Sequence, residues 1–181
     1  MTIDQFWSIV EKVHAASEGD MDRKCELLEA ELRRLQLEEV RAFHAHFYEC
    51  KDRAYSWELW AAAYIIGHGC SDDKFSDFRS TLISMGRETF ERTLADPQSL
   101  ADINYDADSA DYEGYQYVPT EVERELSGGQ DFPRSRPHPE EPSGKCWDEN
   151  EVANCTQSLQ RNTNIRGDGI RVAFQLANFP R

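Results

Sequence analysis

The sequence predicts an all-α protein, a single-domain bundle of five to six main helices with a Pro/Gly-rich linker and an irregular C-terminal tail. Apolar residues recur at three- and four-residue steps through most of residues 3 to 94. Helix-capping residues and glycines separate these repeats. Residues 128 to 145 concentrate Pro, Gly, Ser and charge without an apolar repeat. We therefore predict a helical domain in residues 1–127 and a flexible linker and tail in 128–181.

Amphipathic patterns predict the first three helices. Thr2 or Asp4 suits the cap of the first helix, Asp20 suits the cap of the second, and the third covers residues 37 to 53. The charged residues of the second helix, including Lys24, are expected to face water. The predicted inward residues are Ile3, Phe6, Trp7, Val10, Val13 and His14, then Met21, Cys25, Leu28, Leu32 and Leu35, then Val40, Phe43, Phe47 and Cys50.

The fourth helix is predicted from a nearly unbroken apolar run between Leu59 and Ile66. The run stops at Gly67-His68-Gly69, and a glycine at the end of such a run suits a left-handed C-terminal cap because it has no Cβ. Since this run has almost no polar face, we expect the fourth helix to be the central one, buried on most sides.

The fifth helix begins with its own capping signal. Ser71 occupies the N-cap position, and Asp72 and Asp73 follow in a first turn that favours negative charge. We expect a sixth helical piece, Glu88 to Leu94, to continue this helix past Gly86, because the apolar spacing is kept. The apolar residues of the fifth helix are Phe75, Phe78, Leu82, Ile83 and Met85.

This helix pair resembles the signature of a bacterial family of domains of unknown function. The residues that carry the resemblance are Trp57-Glu58-Leu59-Trp60-Ala61-Ala62-Ala63-Tyr64-Ile65-Ile66, Gly69-Cys70-Ser71-Asp72-Asp73, Phe75, Phe78-Arg79, Leu82-Ile83 and Gly86-Arg87. The resemblance covers residues 2 to 103 and implies a small, mostly helical cytoplasmic domain without an established activity. It implies no catalytic residues. The family usually has a second glycine where this chain has His68.

The remainder of the chain is less regular. Pro119 suits the first turn of a helix through Leu126, and two glycines follow it. The segment from 102 to 125 interleaves acids with tyrosines, so we expect it to pack on the bundle with one side in water. Near the end, Ile170, Val172, Phe174 and Leu176 alternate as in a strand.

Composition limits the function classes. The chain has 34 acidic and 20 basic residues and a formal net charge of -14. Direct binding of nucleic acid or of an anionic membrane requires a positive surface, so both are disfavoured, whereas a protein partner with a basic surface is favoured. No apolar run has membrane-spanning length, and we find no signal-peptide pattern. The scattered cysteines fit reduced thiols, and we predict a cytoplasmic protein. They are Cys25, Cys50, Cys70, Cys146 and Cys155.

The turn from Gly67 to Asp77 is the candidate ligand-binding site. A pair of carboxylates beside a histidine supports general acid–base chemistry or a divalent cation. Alternatively, these acids only stabilise a helix end. We expect Arg79 or Arg87 to pair with Glu58 or with a carboxylate of the turn. The candidate residues are His68, Cys70, Asp72, Asp73, Asp77 and Arg79.

A second cluster, around His44 and His46, is disfavoured as a metal site. On a helix His46 shares a face with Cys50, while His44 points elsewhere. No phosphate-binding loop, dinucleotide fingerprint or nucleophile elbow is present in the sequence. We therefore predict no catalytic residues, no metal ligands and no cofactor, and leave open whether the protein is an enzyme.

Three functional hypotheses follow. The first is a non-enzymatic binding or regulatory module that acts through an acidic surface bearing aromatic residues. The second is an enzyme or divalent-cation site at the turn between Gly67 and Asp77. The third is an acidic inhibitor of a basic nucleic-acid-binding or toxin partner.

Overall fold

The computed structural model describes residues 1–67, 69–103, 110–130 and 137–147. These residues form seven α-helices and two 3₁₀ helices and contain no β-strand, which confirms the all-α prediction. The predicted strand-like tail lies outside them. The α-helices are α1 Ile3–Ser17, α2 Met21–Leu32, α3 Leu37–Arg53, α4 Trp57–Ile66, α5 Asp72–Ser84, α6 Arg87–Ala95 and α7 Val118–Leu126, and the 3₁₀ helices are Pro97–Asp102 and Glu113–Tyr117.

Side-chain caps begin the helices where the sequence predicts them. Thr2 accepts a hydrogen bond from the backbone N–H of Gln5 at 3.3 Å, and Gln5 accepts one from the Thr2 backbone at 2.8 Å. Asp20 and Ser71 cap α2 and α5 by accepting from backbone N–H groups of the first turn. Each cap satisfies an N–H that the helix itself leaves unpaired.

Aromatic rings join the helices in the interior. The Phe6 ring lies 4.9 Å from that of Trp7 and 4.8 Å from that of Phe43. Trp7 in turn lies 5.3 Å from Phe90. α1, α3 and α6 therefore share one core, and Phe6, Trp7 and Phe43 face inward as predicted.

The central helix is α5, so the expectation that the fourth helix is central was wrong. Every residue of α5 from Asp77 to Ser84 is buried, and the helix contacts α1, α3, α4 and α6. α4 keeps Trp57, Trp60 and Tyr64 half-exposed. An apolar run alone therefore does not identify the most buried helix of this bundle.

Hydroxyl groups explain why a polar helix can occupy the centre. Ser80 Oγ donates to the carbonyl of Ser76 at 3.0 Å, and Ser84 Oγ donates to that of Thr81 at 2.7 Å. These hydroxyls donate their hydrogen atoms to carbonyls of their own helix, so burying them costs little.

Glycine conformations correct two further expectations. Gly67 has a φ of -86°, so it is not a left-handed cap, whereas Gly69 has a φ of +132°. The predicted continuation of the fifth helix is also wrong, because Gly86, with a φ of +93°, separates α5 from α6. A positive φ cannot continue a right-handed helix, so the direction of the chain changes there.

Lys24 was expected to face water, but its side chain is buried and 3% of the residue is exposed. Its Nζ donates to Ser84 Oγ of α5 at 3.1 Å. Burial lowers the pKa of Lys24 to about 8, against a small opposing effect of the neighbouring Cys25. The ammonium group thus enters the core at the C-terminal end of the central helix.

Replacing Lys24 with Met should stabilise the protein at neutral pH. The native state binds the Lys24 proton less tightly than the unfolded chain does, so the charge costs stability below pH 8 and this cost fades as the pH rises toward 10.5. We expect Lys24→Met to raise the free energy of unfolding by about 1–2 kcal/mol at pH 7, with a smaller gain near pH 10. Urea titrations at both pH values measure this difference.

The matched control is Lys12→Met, because the Lys12 side chain is 63% exposed and pairs with Glu31 at the surface. Its effect should stay below about 1 kcal/mol at either pH. If Lys24→Met is less stable than wild type at pH 7, the buried charge of Lys24 does not destabilise the native state.

Candidate functional site

The predicted site residues separate into exposed and buried groups. Asp72 and Asp73 are exposed in the first turn of α5, where Ser71 Oγ accepts from the backbone N–H of Lys74 at 3.3 Å. His68 lies outside the described residues. In the described part of the chain, no three His, Cys, Asp or Glu residues are grouped to hold a metal ion.

Cys70 is partly buried. The indole N–H of Trp60 donates to its backbone carbonyl at 3.0 Å, which joins the turn to α4. Burial and then the charge of Asp111 raise the pKa of the Cys70 thiol to about 12, while Lys74 opposes them. The thiol is therefore protonated at neutral pH and is a poor nucleophile.

Asp77 belongs to a buried polar network that joins three elements. Gln116, in the 3₁₀ helix Glu113–Tyr117, donates from Nε2 to Asp77 Oδ1. Lys51 of α3 donates from Nζ to Gln116 Oε1 at 2.7 Å and to Ser76 Oγ at 2.9 Å. Burial and then the charge of Glu113 raise the pKa of Asp77 to about 6, whereas Lys51 lowers it. The network fixes the 3₁₀ helix to α3 and α5.

Arg79 joins the last turn of α3 to α5. It is 3% exposed, and its Nη1 donates to the carbonyl of Lys51 at 3.0 Å. Its guanidinium carbon lies 4.6 Å from the centre of the Tyr55 ring and 5.0 Å from that of Phe75. A cation between aromatic rings at the C-terminal end of a helix is favoured by both the ring faces and the helix dipole.

Among the described residues, Arg87 does not form the expected ion pair with Glu58 or with a carboxylate of the turn. Arg87 Nη1 lies 2.8 Å from Asp4 Oδ1, so it connects α6 to α1 at the surface and not to the turn.

Of the six candidate residues, Asp77 and Arg79 are both joined to Lys51, Arg79 through the Lys51 carbonyl and Asp77 through Gln116. Their charges also act on the pKa of the Cys70 thiol.

An exposed tyrosine lies among carboxylates beside the buried network. Tyr117 is 45% exposed, and its hydroxyl donates to Glu113 Oε1 at 3.3 Å. Partial burial raises the pKa of Tyr117, and so do the hydrogen bond and charge of Glu113 and the charges of Asp77 and Asp73. We name the three exposed residues of this group, Asp73, Glu113 and Tyr117, the acidic tyrosine patch, and the buried Asp77 lies beside it.

Sequence reasoning missed Lys51 and Gln116. Lys51 follows Phe43 and Phe47 at four-residue steps on the inward face of α3, and this spacing was a signal for its burial. Gln116 gave no such signal, because its partners lie 39 and 65 residues away in the sequence.

The two histidines of α3 face different neighbours, as predicted. His44 Nδ1 lies 2.5 Å from the buried carboxylate of Glu123 in α7, and its Nε2 lies 3.2 Å from Thr120 Oγ1. His46 Nε2 lies 3.3 Å from the carbonyl of Met1. His44 and Glu123 therefore connect α7 to α3.

One known protein family matches most of this chain. Residues 1–124 match the family described as "Protein of unknown function (DUF4240)". The chain belongs to the DUF4240 family. The resemblance predicted from the sequence to a family of unknown function is thus confirmed, and the region matched to DUF4240 contains the Asp77 network and the whole acidic tyrosine patch.

Two other comparisons found nothing similar to the chain, since no curated protein and no solved structure matches it. Among the described residues, every helix is too short or too polar to cross a membrane.

Asp77→Asn tests the electrostatics of the buried network. The native state binds the Asp77 proton more tightly than the unfolded chain does, so the native state loses stability as the pH rises from 3.8 through 6. Asparagine carries no charge and keeps an oxygen that accepts from Gln116. At pH 7.5 we expect Asp77→Asn to be more stable than wild type by about 1–2 kcal/mol, and near pH 4 we expect the two proteins to be equal.

Urea unfolding at the two pH values measures this effect, with Asp73→Asn as the control on the exposed side of the same helix. If Asp77→Asn is instead less stable at pH 7.5, the attraction of Lys51 for the carboxylate outweighs its burial.

Proposed function

We propose that this DUF4240 protein is a non-enzymatic, cytoplasmic binding module that recognises a basic segment of a partner protein through the acidic tyrosine patch. The observation that carries the proposal is the exposed ring of Tyr117, whose hydroxyl donates to the exposed carboxylate of Glu113 and whose pKa is raised by partial burial, by Glu113 and by the nearby charge of Asp73. An aromatic face attracts a lysine or arginine cation, and neighbouring carboxylates form charge-assisted hydrogen bonds with the same group.

The buried network supports the proposal because it holds the patch in place. Gln116 precedes Tyr117 directly, and its amide is held between Asp77 and Lys51. Pro119 then lies in the first turn of α7, where its ring restricts the backbone. A tyrosine presented from a fixed backbone loses little conformational entropy on binding.

The overall charge supports a basic partner. A net charge of -14 attracts positive surfaces over long distances and repels nucleic acid. Free thiols at Cys25, Cys50, Cys70 and Cys146 fit a reducing compartment.

The test measures binding of a fluorescent peptide in which arginine alternates with glycine. Tyr117→Ala should weaken binding about fivefold to twentyfold, because it removes the aromatic face. Glu113→Gln combined with Asp73→Asn should weaken it to a similar extent and make binding less sensitive to salt. Fluorescence anisotropy at low and high salt measures both effects.

The matched control is Glu26→Gln combined with Glu38→Gln, which removes two charges from side chains that are 66% and 79% exposed on other helices. This variant should bind the peptide within about twofold of wild type. If the control and patch variants lose affinity equally, net charge alone attracts the peptide and the patch is not the site. If the patch variants bind as well as wild type, the proposal is also wrong.

A further inference from the structure

Residues 137–147, which we name the strap, lie across the junction between α3 and α4. Ser143 and Ser56 form a parallel β-bridge, in which the N–H of Ser143 donates to the carbonyl of Tyr55 at 2.9 Å. The N–H of Trp57 donates to the carbonyl of Ser143 at 2.9 Å. The junction accepts this strand-like pairing because Ser56, the N-cap of α4, has extended backbone angles of -133° and 150°.

A side chain of the junction, Glu58, also contacts the strap. Gly144 has a φ of +84°, and a Cβ added to it would overlap with the carboxylate of Glu58. The backbone N–H of Lys145 donates to Glu58 Oε1 at 3.4 Å. The backbone conformation therefore favours glycine at position 144, and a larger residue there displaces the Glu58 carboxylate.

An aromatic residue anchors the other end of the strap. The Trp147 ring lies edge-on to Tyr64 and Trp57, with ring centroids 5.2 and 6.4 Å away. Its indole Nε1 is buried without a hydrogen-bond partner in the described part of the chain. Shape and ring contact hold Trp147, and no hydrogen bond of the indole is lost when it leaves.

A further contact holds the start of the strap. His138 Nδ1 lies 2.8 Å from Asp52 Oδ1, and the His138 ring lies 4.7 Å from that of Tyr55. Asp52 lies in the last turn of α3, and Tyr55 lies just after that helix.

The strap is an addition to a complete core. None of its residues is buried, and only Pro142 and Trp147 are half-buried. The match to the DUF4240 family ends at residue 124, before the strap begins. The groups that receive the strap, by contrast, all belong to the matched domain, and a segment outside the match therefore lies across them.

We propose that the α3–α4 junction of this protein is a binding site for an extended peptide, and that the strap is its intramolecular ligand. The peptide pairs with the backbone of Tyr55 and Trp57, places a glycine against Glu58 and inserts a tryptophan three residues later beside Tyr64. This is recognition by strand addition combined with a side-chain anchor. A peptide of the same pattern from another chain binds when the strap leaves. The site is separate from the acidic tyrosine patch.

The experiment uses the full chain with Gly144→Val and Trp147→Ala, which changes the strap and leaves the receiving groups intact. The probe is a fluorescent synthetic peptide with the sequence of residues 137–147. A tethered ligand competes at an effective concentration in the millimolar range, so wild type should bind the probe weakly. The double variant should bind it at least about tenfold more tightly. A peptide that carries the same two substitutions is the matched control and should not bind.

Hydrogen exchange at the Trp57 amide provides a second measurement. Exchange should be faster in the double variant than in wild type, and the probe should slow it again, because the bridge to Ser143 is lost and then replaced. The proposal is overturned if the double variant does not bind the probe, or if it binds the substituted peptide equally well. A loss of helical circular dichroism in the double variant also overturns it, since a strap required for folding is not a separable ligand.

Discussion

The structure depends on burying α5, a central helix with many polar side chains, without leaving those groups unsatisfied. Two flanking helices each provide a buried lysine that donates a hydrogen bond to a serine of α5. Lys24 of α2 donates to Ser84, and Lys51 of α3 donates to Ser76. The backbone N–H of Tyr112 donates to Thr81 Oγ1 at 3.2 Å, so the segment before the second 3₁₀ helix is attached in the same way. Neighbouring elements thus contact α5 through specific hydrogen bonds as well as through apolar surface.

This arrangement relates the fold to the proposed site. The network that satisfies Asp77 in the interior also positions the backbone that presents Tyr117 to solvent. The stability of this part of the fold and the geometry of the proposed binding site therefore depend on the same set of hydrogen bonds. Substitutions at Lys51 or Gln116 would alter both properties, whereas substitutions at Tyr117 or Asp73 affect the exposed surface alone.

Helix positions and caps were predictable because their signals are local. Ser71 and Asp20 lie within three residues of the N–H groups that they satisfy. Buried charges were harder to predict, since a charged side chain is normally exposed. Lys24, three residues after Met21 and four before Leu28, lies on the apolar stripe of α2, so its position carried information that its charge obscured. Glu123 gave no local signal, because its partner His44 is 79 residues away.

The same local character explains the error about the central helix. Hydropathy favours α4, but the hydroxyls of Ser80 and Ser84 donate to backbone carbonyls of α5 and so become compatible with burial. Of the candidate site, the sequence identified Asp77 and Asp73 and expected acids beside aromatic residues. The convergence of Glu113 and Tyr117 on those two aspartates required the tertiary fold.

The connection of the chain to α3 has a mechanical consequence. The chain attaches to α3 through the Glu123–His44 contact and again, after residue 130, through the strap near Asp52 and Tyr55. Tension from the C-terminal direction reaches the strap before it reaches α7. The ring contacts of Trp147 and then the two backbone hydrogen bonds of the Ser56–Ser143 bridge therefore carry load before α7 does, and their rupture releases the strap while the bundle stays folded.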